Sequence, residues 1–250
     1  MLRQERPAAD SPTLPVQNLL SQSSVVRSSR TRNWVIGDVH GCHQSLLDLL
    51  AVLPSGDHLV FLGDVISRGA AIEATMDLVW NLVTQRRATW LRGNHEQRLI
   101  DALESSGQDE TQHLLKLDTY RQLGEERAQQ WLQRLRQLPF VFRADGWSAT
   151  HAGFNSSGEP DLSIRDPFWE SYDGRFGLVV VGHTPRPQVE RYGRIVLIDT
   201  GAVYGGLLTA FCPETDAIVQ VPGARSAAPL TRSKAGPRRP TLVAGDPGRC

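Results

Sequence analysis

The chain has 250 residues, of which 40% are hydrophobic, and its formal net charge is zero. This length suits one large domain with tails. No apolar run reaches 18 residues, which argues against a membrane-spanning helix, and the N-terminus shows no secretory signal. Three scattered cysteines, Cys42, Cys212 and Cys250, do not make a disulfide framework. We therefore expect a protein of the reducing cytoplasm.

Composition divides the chain into a central region and two basic tails. Residues 1–31 are rich in Ser, Pro, Gln and Arg, and residues 222–250 are rich in Pro, Gly, Ala and Arg. We expect both tails to be disordered and residues 32–221 to form the folded domain. Because the tails carry the surplus of arginine, the domain between them is acidic. An acidic domain suits cation binding and gives no reason to expect a nucleic-acid partner.

The central region begins with alternating apolar runs and helical patterns. In chain order, the pattern predicts strand 34–36, helix 46–53, strand 58–62, helix 72–83 and strand 88–91. The helical segments repeat their apolar residues every three or four positions, whereas the strands are short and continuous. This order predicts parallel strands joined by right-handed crossovers.

A helical insert and a β-rich region follow. The insert is predicted at 96–105 and 111–137. Asp145-Gly146 is typical of a hairpin turn, which would join strands 140–143 and 147–150. The remaining strands are predicted at 178–181, 194–198, 207–212 and 217–221. We expect these later strands to complete a second sheet packed on the first, in one α/β domain.

Five short polar motifs each follow an apolar run. They are Gly37-Asp38-Val39-His40-Gly41, Gly63-Asp64, Gly93-Asn94-His95-Glu96, His151-Ala152-Gly153 and Gly182-His183-Thr184. Asp64 comes 26 positions after Asp38, and Asn94 comes 30 positions after Asp64. Since about 30 residues make one strand–helix–strand unit, the first three motifs recur where successive parallel strands end. That edge of an α/β sheet is where ligands bind.

The motifs supply carboxylate, amide and imidazole groups, a mixture that suits two divalent metal ions. Asp64 can bridge two cations about 3.5–4 Å apart, and a hydroxide held between them can attack phosphorus in line. Manganese is the expected metal, with iron or zinc as alternatives. The predicted metal ligands are Asp38, His40, Asp64, Asn94, His151 and His183.

Three other residues are candidates for handling a phosphate substrate. His95 adjoins the predicted ligand Asn94, but adjacent side chains on a turn point apart, so His95 can face the leaving group as a general acid. Arg68 and Arg165 can hold phosphate as forked donors. Each motif alone is typical of a turn, a helix cap or a core histidine. Five of them in this order at strand ends indicate a site.

This set of motifs resembles the calcineurin-like metallophosphoesterases, and within them the bacterial phosphoprotein phosphatase branch, which includes diadenosine tetraphosphatases. The similarity runs from about Trp34 to Val221 and includes the ending Ile198-Asp199-Thr200-Gly201-Ala202-Val203-Tyr204-Gly205-Gly206-Leu207. The resemblance implies an αββα sandwich of two mixed β-sheets flanked by helices. It implies one metal on Asp38, His40 and Asp64, a second on Asp64, Asn94, His151 and His183, His95 as general acid, and Arg68 and Arg165 as phosphate ligands.

The chain departs from the family pattern at Ser67, where the family has an aspartate that orients the catalytic histidine. We expect the Ser67 hydroxyl to accept a hydrogen bond from His95 without supplying a charge. Losing a charged hydrogen bond costs about 1.5–3 kcal/mol, which corresponds to roughly ten- to a hundred-fold in rate.

Several functions fit this sequence. The leading expectation is a dinuclear phosphatase of the serine/threonine type, acting on a phosphoprotein or a small phosphomonoester. The alternative is a dinucleoside polyphosphate hydrolase, which would use the same metals with a different pocket rim. A degenerate phosphate-binding protein has support only from Ser67. A metal-dependent nuclease fits poorly with the acidic domain and the two arginines predicted to hold phosphate.

Overall fold

The computed structural model describes residues 31–105 and 112–224. The two predicted tails, 1–31 and 222–250, fall almost entirely outside these residues, as does Cys250. At the C-terminal boundary, the backbone N–H groups of Gly223 and Ala224 donate to the carbonyls of Gly206 and Ala202, at 2.8 and 2.9 Å. Backbone pairing therefore continues slightly beyond the predicted domain end at 221.

Twelve strands, five α-helices and one 3₁₀ turn make up the named elements of the described residues. In chain order they are β1 (Asn33–Ile36), α1 (His43–Val52), β2 (His58–Phe61), α2 (Ile72–Thr84), β3 (Ala88–Trp90), α3 (Asn94–Glu104), α4 (Asp118–Arg136), β4 (Val141–Ala144), β5 (Trp147–Thr150), β6 (Gly153–Phe154), β7 (Pro160–Asp161), α5 (Asp166–Ser171), β8 (Leu178–Val181), β9 (Glu190–Tyr192), β10 (Ile195–Leu197), the 3₁₀ turn (Ala202–Tyr204), β11 (Leu207–Cys212) and β12 (Ala217–Pro222).

The first sheet has the strand order β12-β11-β1-β2-β3. Its strands β1, β2 and β3 are parallel, with Val35 opposite Val60 and Val60 opposite Thr89, as the β-α-β-α-β order predicts. The expectation that β11 and β12 belong to the second sheet is wrong, because β11 pairs antiparallel with β1. Apolar alternation encodes which face of a strand is buried, but it does not encode which strand lies alongside.

The second sheet has the order β4-β5-β8-β10-β9. The hairpin predicted at Asp145-Gly146 joins β4 and β5, which are antiparallel, while β5, β8 and β10 are parallel. Both sheets are therefore mixed. The edge strand β9 and the small β6–β7 hairpin have no counterpart in the sequence prediction.

Alternate residues of the central strands serve two separate hydrophobic layers. In the first sheet, Ile36 and Phe61 pack with α1 to α4, whereas Val35 and Val60 pack between the sheets against second-sheet residues that include Val180. This alternation follows from the two-residue period of a strand. The outer face of the second sheet packs against Phe168 of α5. The layers confirm the αββα sandwich of two mixed sheets.

Helices α1 to α4 cover the outer face of the first sheet and leave its carboxyl edge open for the polar motifs. The predicted insert forms α3 and α4, and α4 is interrupted at Gly124, where φ is 72°. In the part of the chain that the structure describes, no helix has both the length and the apolar character needed to cross a membrane.

Candidate metal centre

All five polar motifs lie at strand ends and meet at one place. Asp38 and Asp64 come two and three residues after β1 and β2, while Asn94 opens α3 after β3. His151 directly follows β5, and His183 lies two residues after β8. Two sets of ligand atoms each lie within 4.8 Å of one another, and Asp64 belongs to both. The two sets are Asp38–Asp64–His151 and His40–Asp64–His95.

His40 approaches both early aspartates through one ring nitrogen. Its Nε2 lies 3.6 Å from Asp64 Oδ2 and 3.9 Å from Asp38 Oδ2. Its other nitrogen, Nδ1, lies 2.8 Å from the carbonyl oxygen of Ile66. A carbonyl only accepts hydrogen bonds, so Nδ1 carries the proton and Nε2 presents a lone pair to the carboxylates. This backbone-anchored tautomer is typical of metal-binding histidines.

His151 and His183 converge on the amide oxygen of Asn94. His151 Nε2 lies 2.8 Å from Asn94 Oδ1, and His183 Nδ1 lies 3.0 Å from the same atom. The Nδ1 of His151 donates to the Leu62 carbonyl at 3.0 Å, which leaves a lone pair on Nε2. Two imidazole nitrogens thus lie within 3.0 Å of one amide oxygen, and such a cluster of electron-pair donors suits a cation.

Two carboxylates are fixed by backbone groups from other strand ends. Asp38 accepts hydrogen bonds from the His183 N–H at 3.1 and 3.2 Å. A Cβ on Gly182 would lie 2.2 Å from Asp38 Oδ1, so only glycine allows this approach. Asp64 Oδ1 accepts from the His95 N–H at 2.9 Å.

Backbone strain is concentrated at this site. Seven non-glycine residues in the described ranges have positive φ, and five of them belong to the motifs or to the loop after β2. Such conformations cost about 1–3 kcal/mol each and persist where surrounding contacts enforce them. The five residues are His40, Asp64, Ser67, Arg68 and His183.

Glu96 is one of the contacts that enforce this backbone. The side chain is fully buried and accepts three backbone hydrogen bonds, from Asp64, Val65 and Gly93, at 2.8 to 2.9 Å. It therefore ties the loop after β2 to the loop after β3. Glu96 is not among the predicted site residues, although a glutamate three positions after a helix cap is the pattern of a capping box.

His95 lies at the edge of the candidate metal ligands. Its Nε2 accepts a hydrogen bond from Arg68 Nη2 at 3.4 Å and lies 3.8 Å from Asp64 Oδ2. Its ring meets the His40 ring edge-on, with 5.0 Å between centroids. His95 is thus near enough to be a ligand or to face a bound substrate, and the general-acid role stays a prediction.

Ser67 does not occupy the place expected for it. Its buried hydroxyl lies 3.2 Å from the hydroxyl of Thr119 in α4, and the predicted hydrogen bond to His95 is not formed. In the described residues, no carboxylate oxygen lies within hydrogen-bond distance of the His95 ring, since Asp64 Oδ2 at 3.8 Å is the nearest such contact. His95 therefore lacks both the family aspartate and its expected substitute.

A polar cavity of about 170 Å³ opens over these residues. Arg68 and Arg165 both line it, and Arg165 Nε donates to Thr184 Oγ1 at 3.2 Å. Asp199 and Tyr204 also line the cavity, although no role was predicted for either. Asp199 follows an apolar run in the same way as Asp38, which is the signal that identifies it. The lining residues are His40, Asp64, Arg68, Asn94, His95, Arg165, His183, Pro185, Asp199 and Tyr204.

Burial shifts the acidic groups toward their neutral form. The pKa values of Asp38 and Asp64 are raised well above the ordinary value, chiefly by burial and further by neighbouring carboxylates. Burial likewise raises the pKa of Asp199 to about 6 and raises the pKa of Glu96. Four carboxylates packed this closely repel one another unless cations or protons compensate their charge.

Burial keeps the histidines neutral as well. It lowers the pKa of His40 to about 3 and that of His183 to about 4, with smaller contributions from neighbouring cationic groups. Burial, and to a smaller extent the positive charge of Arg68, lower the pKa of His95 to about 4. The pKa of His151 is lowered well below its ordinary value, also mainly by burial. Neutral imidazoles beside carboxylates are the form in which these groups bind metals.

A family comparison identifies the protein class to which this site belongs. A model of the calcineurin-like phosphoesterases matches residues 31–214. This chain is a calcineurin-like phosphoesterase. The match confirms the resemblance drawn from the motifs, and it makes the protein a metallophosphoesterase hydrolase. The family implies divalent metal ions.

Two named relatives of this phosphoesterase have different substrates in their names. The asymmetrical bis(5'-nucleosyl)-tetraphosphatase PrpE of Halalkalibacterium halodurans is 30% identical over 243 residues, with 80% of this chain and 96% of that protein covered. Serine/threonine-protein phosphatase 1 of Salmonella typhimurium is 30% identical over 201 residues, with 70% of this chain and 89% of that protein covered.

Solved structures share the fold of this phosphoesterase. The crystal structure of a candidate diadenosine tetraphosphatase has a TM-score of 0.61 and 22% identity, and covers 79% of this chain and 96% of that one. A metallophosphoesterase from Sphaerobacter thermophilus has a TM-score of 0.55 and 18% identity, and covers 78% and 89%. At these identities the structures establish the fold alone.

The residues of this phosphoesterase fit the metal ions that its family implies. His183 Nδ1 and His151 Nε2 lie 3.0 and 2.8 Å from the same Asn94 Oδ1, so three groups that can bind a cation meet there. The Nε2 atoms of His40 and His151 present lone pairs to carboxylate and amide oxygens, as their backbone-anchored tautomers require. Buried carboxylates lie among these imidazoles, with Asp64 in the middle. The structure brings together all six predicted ligands, whose role in metal binding stays a prediction.

Proposed function

We propose that this phosphoesterase hydrolyses dinucleoside tetraphosphates, such as diadenosine tetraphosphate, with two divalent ions held by the six predicted ligands. The observation that carries the chemistry is the position of Asp64, which belongs to both sets of ligand atoms. When bound, two such ions would activate water as a nucleophile and neutralise charge on phosphoryl oxygens. We propose manganese as the working metal.

The arginines that line the cavity suit a substrate with several linked phosphates. Arg68 and Arg165 line the same cavity, so one phosphate can accept from both guanidinium groups. In the reaction, water adds to an outer phosphorus and the bond from that phosphorus to the bridging oxygen breaks. Diadenosine tetraphosphate and water then give AMP and ATP.

The environment of His95 favours this substrate over a phosphoserine peptide. A serine alkoxide is a poor leaving group and needs a proton from a well-supported general acid. A phosphate chain leaves as a stable anion and needs far less help. Because Ser67 bonds to Thr119 and supplies nothing to His95, the site is poorly equipped to protonate an alkoxide. The name of the Halalkalibacterium halodurans relative supports the same substrate.

A second candidate is a serine/threonine phosphatase. The Salmonella typhimurium relative, at 30% identity, favours this function. Both candidates place a phosphate on the same arginines and differ in the group attached to it. The partner in either case is a phosphorylated substrate, and we propose no nucleic-acid or membrane partner.

The test compares two substrates on protein loaded with manganese, iron or zinc, with metal content measured by elemental analysis. We expect about two metal ions per chain and the release of AMP and ATP in equal amounts from diadenosine tetraphosphate. Release of two ADP molecules would contradict the asymmetric cleavage. Faster phosphate release from a phosphoserine peptide would support the second candidate instead.

A further inference from the structure

Tyr204 is an exposed aromatic side chain at the edge of a polar cavity. Its exposed fraction is 57%, although it lines the same cavity as His95 and Arg165. It ends the 3₁₀ turn between Gly201 and Gly205, whose φ angles are 70° and 85°. The Tyr204 N–H donates to the Gly201 carbonyl at 2.9 Å, which fixes the backbone that carries the ring.

Arg68 connects this ring to the reacting end of the site. Its guanidinium carbon lies 5.5 Å from the centroid of the Tyr204 ring. The same guanidinium donates to His95 Nε2 at 3.4 Å. A group placed against Tyr204 is therefore separated from His95 by the width of one guanidinium group.

Pro185 extends this apolar edge on another side. A Cβ atom built on Gly201 would lie 3.7 Å from Tyr204 Cδ2 and 3.9 Å from Pro185 Cβ. The tyrosine and proline rings thus border the same small gap, which glycine leaves open. They are the two apolar residues in a lining that otherwise consists of charged and polar side chains.

The cavity is too small to enclose a nucleotide. Its volume is about 170 Å³, whereas sites that enclose small organic ligands measure about 300–1,000 Å³. The cavity can take phosphate groups, and any larger part of the substrate must lie at its edge. A nucleobase needs an apolar surface with an open face, and Tyr204 supplies one.

We propose that Tyr204, with Pro185 beside it, is the stacking surface for one nucleobase of the substrate. This inference rests on the proposed tetraphosphate hydrolysis and assigns a base-binding position to it. Stacking on an aromatic ring tolerates every base, because each has a π-face. We therefore expect guanine and adenine dinucleotides to be bound with similar affinity, while a polyphosphate without a base gains nothing from the ring.

The test uses the manganese-loaded full chain and two competitive inhibitors, ATP and inorganic tripolyphosphate. Tyr204→Leu removes the aromatic ring. The contribution of stacking to affinity predicts that this change raises the inhibition constant of ATP about 5- to 150-fold more than that of tripolyphosphate. Tyr204→Phe keeps the ring and is expected to bind ATP and tripolyphosphate with the wild-type preference for ATP. Tyr192→Leu is the matched control, because Tyr192 is 40% exposed on β9 and outside the cavity lining.

Two outcomes separate this inference from the proposed function. Equal changes in the two inhibition constants of Tyr204→Leu would overturn the stacking surface while wild-type cleavage of diadenosine tetraphosphate still supported the function. Wild-type protein that hydrolyses a phosphoserine peptide but leaves diadenosine tetraphosphate intact would overturn the function itself. The stacking surface is supported if Tyr204→Leu raises the inhibition constant of ATP more than that of tripolyphosphate, and if Tyr204→Phe and Tyr192→Leu do not.

Discussion

Ser67 and Thr119 bury their hydroxyl oxygens 3.2 Å apart, although the two residues are 52 positions apart in the chain. The pair is one of several bonds between the loop after β2 and the first turns of α4. Asp118 accepts from the Arg68 N–H at 3.2 Å, and Gln122 donates to the Gly69 carbonyl at 2.8 Å. The helical insert therefore holds the strained loop that presents Arg68 to the cavity.

Removing one hydroxyl of this pair should lower the free energy of unfolding more than removing both. Thr119→Val leaves the Ser67 hydroxyl buried without a partner, so we expect the free energy of unfolding to fall by about 1–3 kcal/mol. In the double variant Ser67→Ala/Thr119→Val no orphaned hydroxyl remains, and its stability should lie nearer to wild type. Urea denaturation of wild type, Ser67→Ala, Thr119→Val and the double variant measures both effects. Strictly additive losses would show that the two hydroxyls do not interact.

Replacing Asp64 should separate activity from stability. Asp64→Asn removes the carboxylate common to both sets of ligand atoms, so we expect kcat/KM to fall at least about 100-fold with loss of bound metal. The metal-free protein should become more stable by about 1–3 kcal/mol, because a buried charge is removed. The amide keeps an oxygen that can accept from the His95 N–H, as Asp64 Oδ1 does at 2.9 Å.

The measurements for this variant are metal content, activity and denaturation with a chelator present. Asp48→Asn is the matched control, since Asp48 is exposed on α1 and accepts a hydrogen bond from Gln44 at 2.8 Å. Wild-type metal content in Asp64→Asn would refute the assignment of Asp64 as the shared ligand.

Removing His95 should affect the two candidate substrates unequally. His95→Gln takes away the candidate proton donor, and we expect kcat on a phosphoserine peptide to fall about 10²- to 10⁴-fold. The loss on diadenosine tetraphosphate should be much smaller, because the departing phosphate chain needs little protonation. Steady-state kinetics on both substrates measure the difference, with the exposed His113→Gln as control. Similar losses on both would remove the leaving-group argument for the proposed substrate.

His58 provides a pH-dependent contribution to stability away from the metal centre. Burial lowers its pKa, while its ring lies 3.0 Å from Thr89 Oγ1 and stacks on Phe142 with 5.9 Å between centroids. Because the folded pKa is below the unfolded value of about 6.5, the unfolded chain binds the proton more readily. The stabilisation is present above about pH 6.5 and is lost as the pH falls toward the folded pKa.

Denaturation of wild type and His58→Gln between pH 5 and 8 tests this contribution. The other histidines are common to both proteins, so the difference in unfolding free energy isolates position 58. We expect wild type to be the more stable at pH 8 and its advantage to shrink as the pH falls. Parallel stability curves would contradict the expected shift. His113→Gln controls for removing one histidine.

The sequence by itself predicted the six candidate ligands and the sheet edge at which they meet. Asp38, Asp64 and Asn94 follow apolar runs spaced by one strand–helix–strand unit, and parallel strands joined by right-handed crossovers end at the same side. Local chemistry decides these features, since short apolar runs form strands and polar residues after them lie at the sheet edge. The hairpin at Asp145-Gly146 was also predicted from local sequence, because Asp-Gly is typical of a tight turn between two strands.

Only the tertiary structure decided which distant groups touch. It placed β11 beside β1, turned Ser67 toward Thr119 and brought Tyr204 to the rim of the cavity. Strand partners and side-chain neighbours depend on how complete layers pack, and the alternation along one strand is compatible with several such packings. The Ser67 backbone has a positive φ of 70°, and its side chain contacts Thr119, which no local pattern in the sequence predicts. The substrate preference argued for this phosphoesterase depends on those long-range contacts.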